Sequence, residues 1–209
     1  KEWYVNNKID LKLNTNIKFI NERKKSLSDE KNNLYHYDKL VIATGSENNL
    51  LEIDIKEYQK GNFFSLRNLE DSKRIRKKIS EIQTITIIGA GFIGLEIATT
   101  ALQLNKDVTI IENSENVMGR SISKDLSTWL INYYTKSGIK FIFNKSFKSF
   151  KSDENSIMNV VLSDDTKINS EMVLISAGSQ PNDLLFKSIK VNEFNKIKVN
   201  SFLETNIDD

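Results

Sequence analysis

The sequence contains no cysteine and a single histidine, His36, among its 209 residues. Disulfides, iron–sulfur ligation and Cys/His zinc sites are therefore excluded within this chain. We expect no other metal site, because a lone histidine without cysteine lacks the usual ligand set. A chain without cysteine is also typical of the reducing cytoplasm, and we expect a cytoplasmic protein.

Long apolar runs and an excess of charge of one sign are missing as well. No stretch approaches the roughly 20 apolar residues that span a bilayer, and we expect no signal peptide because the opening residues, KEWY, lack a long apolar segment. The 30 basic and 28 acidic residues leave a net charge of +2, so charge indicates neither nucleic acid nor a membrane surface as a partner. A hydrophobic fraction of 39% and a charged fraction of 28% are typical of a globular protein.

The most informative pattern is a glycine-rich turn between a predicted strand and a predicted helix, TITIIGAGFIGLE at 84–96. Its three glycines follow G-x-G-x-x-G spacing, which is typical of dinucleotide-binding βαβ units. Gly89 allows a sharp turn, Gly91 lets a pyrophosphate approach the backbone, and Gly94 lets the helix lie close to the sheet. The first N–H groups of that helix then face the phosphates.

An acid at the end of the next predicted strand strengthens this interpretation. Glu112 follows the strand DVTII and lies 23 positions after Gly89 (112 − 89 = 23). Its carboxylate can accept hydrogen bonds from both hydroxyls of an adenine ribose, and it would repel a 2′-phosphate. The sequence therefore predicts binding of NADH in preference to NADPH. A glycine-rich turn without a ligand is disfavoured by this context.

Helical and alternating patterns predict the elements around this motif. Asn68 is a predicted N-cap for a helix over 69–82 with Ile75 and Ile79 facing inward. Apolar residues at helical spacing predict a second helix in which Trp129 and Tyr133 belong to the core.

Predicted strands flank these helices. Two lie before the motif, at 17–20 and 39–43. After it, alternating segments at 147–150, 158–162 and 172–176 predict an antiparallel meander that returns to a sheet strand.

Four motifs occur in an order that resembles the FAD-dependent pyridine nucleotide-disulfide oxidoreductases. The segments are YDKLVIATGS at 37–46, SLRNLED at 65–71, GAGFIGLE at 89–96 and VLISAGSQPN at 173–182. They resemble the family's Y-D-x-L-V-x-A-T-G segment, its L-R-T-x-x-D-A segment, its NADH motif and its second glycine turn. Within the family, the chain is most similar to the ferredoxin/rubredoxin–NAD reductases of oxygenase systems.

The resemblance implies an α/β fold. We expect a Rossmann-like NAD-binding domain at 47–181, with a parallel sheet and an antiparallel β-meander. It would be inserted in a partial FAD-binding domain formed by 1–46 and 182–209. The family's first G-x-G-x-x-G is absent and the chain does not begin with Met, so we expect a central piece of a longer protein.

The resemblance also implies cofactor-binding residues for FAD and NAD. For FAD, the resemblance implies that Ile17 offers its backbone to the adenine and that Arg67 contacts the phosphates. It also implies that Thr44 and Gly45 lie against the FAD. For NADH, the resemblance implies a glycine turn formed by Gly89, Gly91, Ile93 and Gly94. Phe92 would cover the flavin, Glu96 would lie near the nicotinamide amide, and Glu112 would bind the adenine ribose. Arg120 would approach the adenosine, and Gly178 would let the backbone pass close to the nicotinamide.

The implied activity is electron transfer from NADH through the flavin to an iron–sulfur carrier of the ferredoxin or rubredoxin type. No catalytic acid or base is expected, because positioning of the two cofactors performs the hydride step. One alternative is a thiol-dependent NADH peroxidase or coenzyme A disulfide reductase, whose redox cysteine the family places before this segment. Another is a non-catalytic, NADH-responsive flavoprotein that resembles apoptosis-inducing factor. The basic run KRIRKK at 73–78 is either a solvated helix face or a docking surface for an acidic ferredoxin.

Overall fold

The structure is a computed structural model that describes residues 2–51, 62–152, 158–182, 189 and 196–207. The chain divides into two compact units, one formed by residues 1–46 and 181–209 and the other by residues 47–180. We refer to them as unit 1 and unit 2. Which cofactor each predicted domain binds stays a prediction.

The structure describes four helices and 13 strands, and helices alternate with strands between residues 63 and 142 of unit 2. The helices are α1 (Glu2–Asn6), α2 (Leu69–Glu81), α3 (Phe92–Gln103) and α4 (Lys124–Lys136). The first seven strands are β1 (Ile17–Asn21), β2 (Ser26–Asp29), β3 (Leu34–His36), β4 (Ser46–Asn48), β5 (Phe63–Phe64), β6 (Thr84–Ile88) and β7 (Asp107–Ile111). The remaining strands are β8 (Lys140–Ile142), β9 (Phe147–Ser152), β10 (Met158–Leu162), β11 (Lys167–Ser170), β12 (Met172–Ile175) and β13 (Ser179–Pro181).

A five-stranded parallel sheet organises unit 2, in the order β5-β12-β6-β7-β8. Because successive side chains of a strand point to opposite faces, each strand contributes to two apolar layers. Ile85 and Ile87 of β6 join the cluster that contains Leu95 and Ala98 of α3, whereas Ile88 joins a second cluster. The sheet is therefore buried on both faces, which is typical of a parallel sheet with α/β connections. The predicted α/β class is confirmed.

A three-stranded antiparallel sheet, β11-β10-β9, covers the second face of the parallel sheet. Val160 and Leu162 of β10 are fully buried in the second cluster. The meander was predicted, but its third strand is β11 and not the segment at 172–176, which forms β12 of the parallel sheet. Met172 to Ile175 are all buried, so this run is apolar on both faces where a half-exposed meander strand would alternate.

The predicted core position of Trp129 and Tyr133 on α4 is wrong. Their side chains are 58% and 54% exposed and stack on each other with ring centroids 5.4 Å apart. The fully buried residue of α4 is Ser127, whose hydroxyl donates a hydrogen bond to the carbonyl oxygen of Val117 at 2.8 Å. The helix has two apolar stripes, and spacing alone does not distinguish which one faces the sheet.

Unit 1 contains a three-stranded antiparallel sheet, β1-β2-β3. The Asp29 carboxylate at the end of β2 accepts hydrogen bonds from Asn33, Tyr35 and Lys31, which lower the pKa of Asp29 to about 2. This network fixes the turn between β2 and β3.

The strand predicted at 39–43 is wrong, because residues 40–43 lie outside the strands that the structure describes. A β-strand requires a hydrogen-bonding neighbour, and no strand in the described part of the chain pairs with these residues. Val41 is 86% exposed, and it lines an open cavity of about 520 Å³ together with apolar residues such as Ile20 and Phe202.

Within the described ranges, no helix has both the length and the apolar composition needed to cross a lipid bilayer.

Candidate functional site

The glycine-rich turn follows β6 directly and packs against the end of β12. Gly89 has a φ of +103°, a left-handed conformation that favours glycine, and its N–H donates to the carbonyl oxygen of Ile111 at 2.8 Å. A Cβ atom at this position would lie 2.6 Å from the carbonyl oxygen of Ser176. Both the backbone conformation and the close neighbour therefore require glycine here.

The other two glycines of the motif have opposite surroundings. A Cβ on Gly94 would lie 2.2 Å from the carbonyl oxygen of Gly89 and 2.8 Å from Oγ of Ser176, so this glycine lets α3 approach the turn. A Cβ on Gly91 would meet no atom of the described residues within 4 Å. The backbone of Gly91 is extended, with φ −80° and ψ −173°, which any residue adopts. Neither backbone conformation nor internal packing explains glycine at position 91.

Helix α3 begins without a side-chain cap. Its N-cap residue is Gly91, which has no side chain to accept from the first turn. The first N–H groups of a helix have no partner within the helix, and they carry the positive end of its dipole. The side chains of Phe92 and Ile93 are 58% and 38% exposed, and Glu96 one turn on is exposed as well. This helix start is open and favours an anion.

The other two helices that the structure describes in unit 2 have side-chain caps. In α2, Asn68 accepts from the backbone N–H of Asp71 at 3.0 Å, and the Asp71 carboxylate accepts in return from the N–H groups of Asn68 and Arg67. In α4, Oγ of Ser123 accepts from the N–H of Leu126 at 3.3 Å. The uncapped start of α3 is therefore not the general pattern of this unit.

Glu112 lies beside the glycine turn, as the sequence predicted. Its Oε2 accepts from the N–H of Ala90 at 2.9 Å, and its Oε1 accepts from the N–H and the hydroxyl of Ser114 at 3.0 and 2.9 Å. The side chain is half-buried. The carbonyl oxygen of Ala90 accepts from the N–H of Met118 at 2.9 Å, so the turn is held on both sides by the loop that follows β7.

Ser176 is a residue of the site that the motifs did not single out. Its N–H donates to the carbonyl oxygen of Ile88 at 2.8 Å, and its hydroxyl lies 2.8 Å from the carbonyl oxygen of Gly89. The same Oγ faces Gly94. The end of β12, the glycine turn and the start of α3 therefore meet at Ser176. The sequence signal that could have identified Ser176 is its position just before Ala177-Gly178 in the second glycine turn.

Two further predicted NADH residues lie on loops of unit 2. Gly178 has a φ of +87° and open space around it, and its carbonyl oxygen accepts from the N–H of Asn49 at 3.0 Å. Arg120 is exposed on the loop between β7 and α4. The structure thus brings the three glycines of the turn together with Glu112, whereas the roles of Arg120 and Gly178 stay predictions.

Three of the predicted FAD residues belong to unit 1. Thr44 and Gly45 are joined to Asn182, which is 138 positions after Thr44. The hydroxyl of Thr44 donates to the carbonyl oxygen of Asn182 at 2.6 Å, the side-chain amide of Asn182 donates to the carbonyl of Thr44, and its N–H donates to that of Gly45. Ile17 opens β1. Sequence spacing could not reveal the contact with Asn182.

Arg67 and the basic run lie at and along α2. The Arg67 side chain is exposed just before the helix. Lys73 pairs with Glu70 at 2.7 Å, and the guanidinium of Arg74 lies 5.6 Å from the ring centre of Phe64. Arg76 and Lys77 are exposed. Most of this run is therefore at the surface, although two of its cations already have neighbours within the unit.

Comparison with known proteins identifies a family and several relatives. The family described as pyridine nucleotide-disulphide oxidoreductase matches residues 3–209. The rubredoxin-NAD(+) reductase of Ectopseudomonas oleovorans is 31% identical over 179 residues, which are 86% of this chain and 46% of the relative. Monodehydroascorbate reductase 3 of Arabidopsis thaliana is 30% identical over 212 residues, covering 99% of this chain and 48% of the relative.

A similar fold occurs in the crystal structure of the covalent putidaredoxin reductase–putidaredoxin complex. The TM-score is 0.88 at 26% sequence identity, and the match covers 99% of this chain and 50% of that chain. This chain spans about half the length of the curated relatives it matches.

Proposed function

This chain belongs to the pyridine nucleotide-disulphide oxidoreductase family, and on that premise we propose that it binds NADH in unit 2. We propose further that it belongs to an FAD-dependent oxidoreductase. Electrons would pass from NADH through the flavin to a carrier of the ferredoxin or rubredoxin type. The similarity to a rubredoxin-NAD(+) reductase and to putidaredoxin reductase supports this choice of acceptor.

The observation that carries the proposal is the open start of α3 beside Glu112. Gly91 has free space where a side chain would stand, and the helix has no cap of its own. A pyrophosphate can therefore approach the first N–H groups, which would donate hydrogen bonds to it. The carboxylate of Glu112 adjoins the same turn through Ala90. An anion site next to an acid fits a dinucleotide, because the phosphates need hydrogen-bond donors and the ribose hydroxyls need an acceptor.

The residues of this chain would bind and orient the cofactors. NADH, when bound, supplies a hydride that the flavin accepts and releases as single electrons. Gly91 and the first turn of α3 would hold the pyrophosphate, Glu112 the adenine ribose and Arg120 the adenosine. Phe92, Ile93, Glu96 and Gly178 would border the nicotinamide end. Orientation of this kind can contribute roughly 7–11 kcal/mol to a reaction between two bound groups.

For FAD we propose the contacts that the resemblance implies. Thr44 and Gly45 would lie against it, Ile17 would offer its backbone, and Arg67 would contact its phosphates. The hydrogen bonds from Thr44 and Asn182 leave Gly45 with open space around it, which suits close approach of a ligand. Asn182 would then position this turn without touching the cofactor.

The decisive experiment titrates the purified protein with NADH and with NADPH. We expect NADH to bind more tightly, because Glu112 repels a 2′-phosphate. Glu112→Ala should weaken NADH binding by roughly tenfold to a hundredfold, the range for a hydrogen bond to a charged group. The matched control is Glu115→Ala, which removes an exposed acid three positions on that pairs with Lys124 at 3.0 Å. Equal effects of the two substitutions, or a preference for NADPH, would contradict the proposal.

The alternatives predict different outcomes for the longer protein that we expect to contain this chain. A thiol-dependent peroxidase or disulfide reductase needs a redox cysteine, and none of these 209 residues is one. With FAD added, we expect NADH-dependent reduction of a ferredoxin or rubredoxin that iodoacetamide does not inhibit. Inhibition by the alkylating agent would favour the thiol branch, in a protein whose cysteine lies outside this sequence. Slow flavin reduction with NADH-dependent dimerisation would instead favour the non-catalytic alternative.

The acceptor surface is tested through the basic residues of α2. If an acidic carrier docks there, Arg76→Glu with Lys77→Glu should slow carrier reduction at low salt and leave NADH binding unchanged, since electrostatic steering acts on association. Lys136→Glu on α4 is the matched control. An equal loss in the control would contradict docking on α2.

A further inference from the structure

The hydroxyl of Ser114 has two acceptors within reach and one proton to donate. Its Oγ lies 2.9 Å from Oε1 of Glu112 and 3.0 Å from the carbonyl oxygen of Asn116. A hydroxyl donates a single hydrogen bond and rotates to suit its surroundings. The proton can therefore point to either acceptor without movement of the oxygen atom. The carboxylate is charged and the carbonyl is neutral, so the proton favours Glu112.

The carboxylate of Glu112 has little acceptor capacity left in this arrangement. A carboxylate offers about four lone-pair sites, two on each oxygen. Oε1 already accepts from the N–H and the hydroxyl of Ser114, whereas Oε2 accepts from the N–H of Ala90. Both sites of Oε1 are therefore used, and one site of Oε2 remains. The two hydroxyls of an adenine ribose need two sites.

We propose that the Ser114 hydroxyl occupies the second ribose site of Glu112 in the free protein and gives it up when NADH binds. This inference rests on the function proposed above. The first ribose hydroxyl takes the vacant site of Oε2. The second needs Oε1, and the Ser114 hydroxyl then rotates to the carbonyl oxygen of Asn116. The N–H of Ser114 and the N–H of Ala90 continue to hold the carboxylate in place.

Ser114 is thus a specificity-determining residue whose effect opposes that of Glu112. Binding of a ligand with both ribose hydroxyls exchanges a charge-assisted hydrogen bond of Ser114 for a neutral one, which lowers affinity. Binding of a ligand without these hydroxyls requires no exchange. The hydroxyl therefore reduces affinity for ribonucleotides and leaves affinity for dideoxynucleotides unchanged.

The test compares NADH, ADP and 2′,3′-dideoxy-ADP as ligands of wild type and Ser114→Ala by calorimetry. We expect Ser114→Ala to bind NADH and ADP roughly threefold to tenfold more tightly, the difference between a charged and a neutral hydrogen bond. Binding of 2′,3′-dideoxy-ADP should be unchanged. Ser114→Thr, which keeps the hydroxyl, should resemble wild type, as should Ser121→Ala on the same loop.

The outcomes separate this inference from the proposed function. Absence of NADH binding to the wild-type protein would overturn both. If wild type binds NADH and Ser114→Ala binds it equally or more weakly, Ser114 only orients the acid and this inference alone is wrong. Tighter binding of all three ligands would overturn it too, because the gain would not depend on the ribose. Thermal melting of each variant identifies a loss caused by unfolding.

Discussion

Helices α2 and α3 both follow strands of one parallel sheet and begin at the carboxyl ends of those strands, yet only the first turn of α2 has a side-chain cap. The start of α2 is satisfied by a reciprocal pair, Asn68 and Asp71, whereas the start of α3 is Gly91 with no side chain at all. An N-cap contributes about 0.5–2 kcal/mol to stability. Glycine at this point forgoes only about a few tenths of a kcal/mol of that contribution, and its backbone conformation would permit a capping residue. This difference supports our proposal that the first turn of α3 binds the phosphates of a ligand.

The largest expected effect comes from giving α3 a cap of its own. Gly91→Asp introduces a carboxylate at a position whose extended backbone permits a side chain and whose Cβ would meet no described atom within 4 Å. The new side chain would accept from the first turn and repel phosphate, so NADH affinity should fall by at least roughly a hundredfold. Stability should be unchanged or raised by about a few tenths of a kcal/mol. Calorimetric titration and urea unfolding measure the two quantities.

Gly91→Ala is the control for this substitution, since it adds bulk without a cap or a charge. It should weaken NADH binding less than Gly91→Asp does. If Gly91→Asp bound NADH as wild type does, the open helix start would not be the phosphate site, and the central comparison would fail.

The second-largest effect is expected at Gly94, where a substitution tests the packing role of the glycine motif apart from its binding role. Gly94→Ala places a methyl group 2.2 Å from the carbonyl oxygen of Gly89 and 2.8 Å from Oγ of Ser176. Overpacking of this kind costs about 1–3 kcal/mol, and we expect the free energy of unfolding to fall by that amount. The double variant with Ser176→Gly should recover part of the loss, because it removes one of the two neighbours. No loss of stability in Gly94→Ala would mean that α3 and the turn are less closely packed than these distances imply.

The local parts of this site were predictable from sequence, and the long-range parts were not. The strand, the turn and the helix around Gly89 follow from period and glycine spacing, and Glu112 follows from the length of one βαβ unit. Ser176 and Asn182 were missed because they act through contacts with residues 87 and 138 positions away. The exposed stripe of α4 was misassigned because two apolar stripes compete on one helix. The strand at 39–43 was misassigned because a short apolar run does not guarantee a partner strand.

The third-largest effect is expected from removing the cap of α2, which tests the capped helix of the comparison. Asn68→Ala deletes the acceptor of the Asp71 N–H, so the free energy of unfolding should fall by about 1 kcal/mol. NADH affinity should stay within about twofold of wild type, because α2 satisfies its own first turn. Urea unfolding and NADH titration provide the two values. A large loss of NADH affinity would show that the capped helix start also takes part in binding.

The smallest expected effect concerns the carboxylate of Glu171, which lies at the amino ends of the strands of the same sheet. Glu171 resembles Glu112 in accepting from two backbone N–H groups and one hydroxyl, here those of Gln83 and Thr84. The hydrogen bond from the Gln83 N–H is the largest cause that lowers the pKa of Glu171 below its ordinary value of 4.5. A depressed pKa adds stability above the ordinary value, and that stability is lost as the pH falls through the folded-state pKa.

The stability difference between wild type and Glu171→Gln should therefore be present at pH 6 and shrink steadily as the pH is lowered below 4.5. It should be small, because the glutamine oxygen can still accept from the same backbone groups. Glu112→Gln is the matched variant, and it should weaken NADH binding where Glu171→Gln does not. Two acids that accept from the same kinds of donor would then differ in function through their position, since only one of them adjoins an uncapped helix. If both substitutions weakened NADH binding equally, the hydrogen-bonding pattern and not the open helix start would decide which acid is functional.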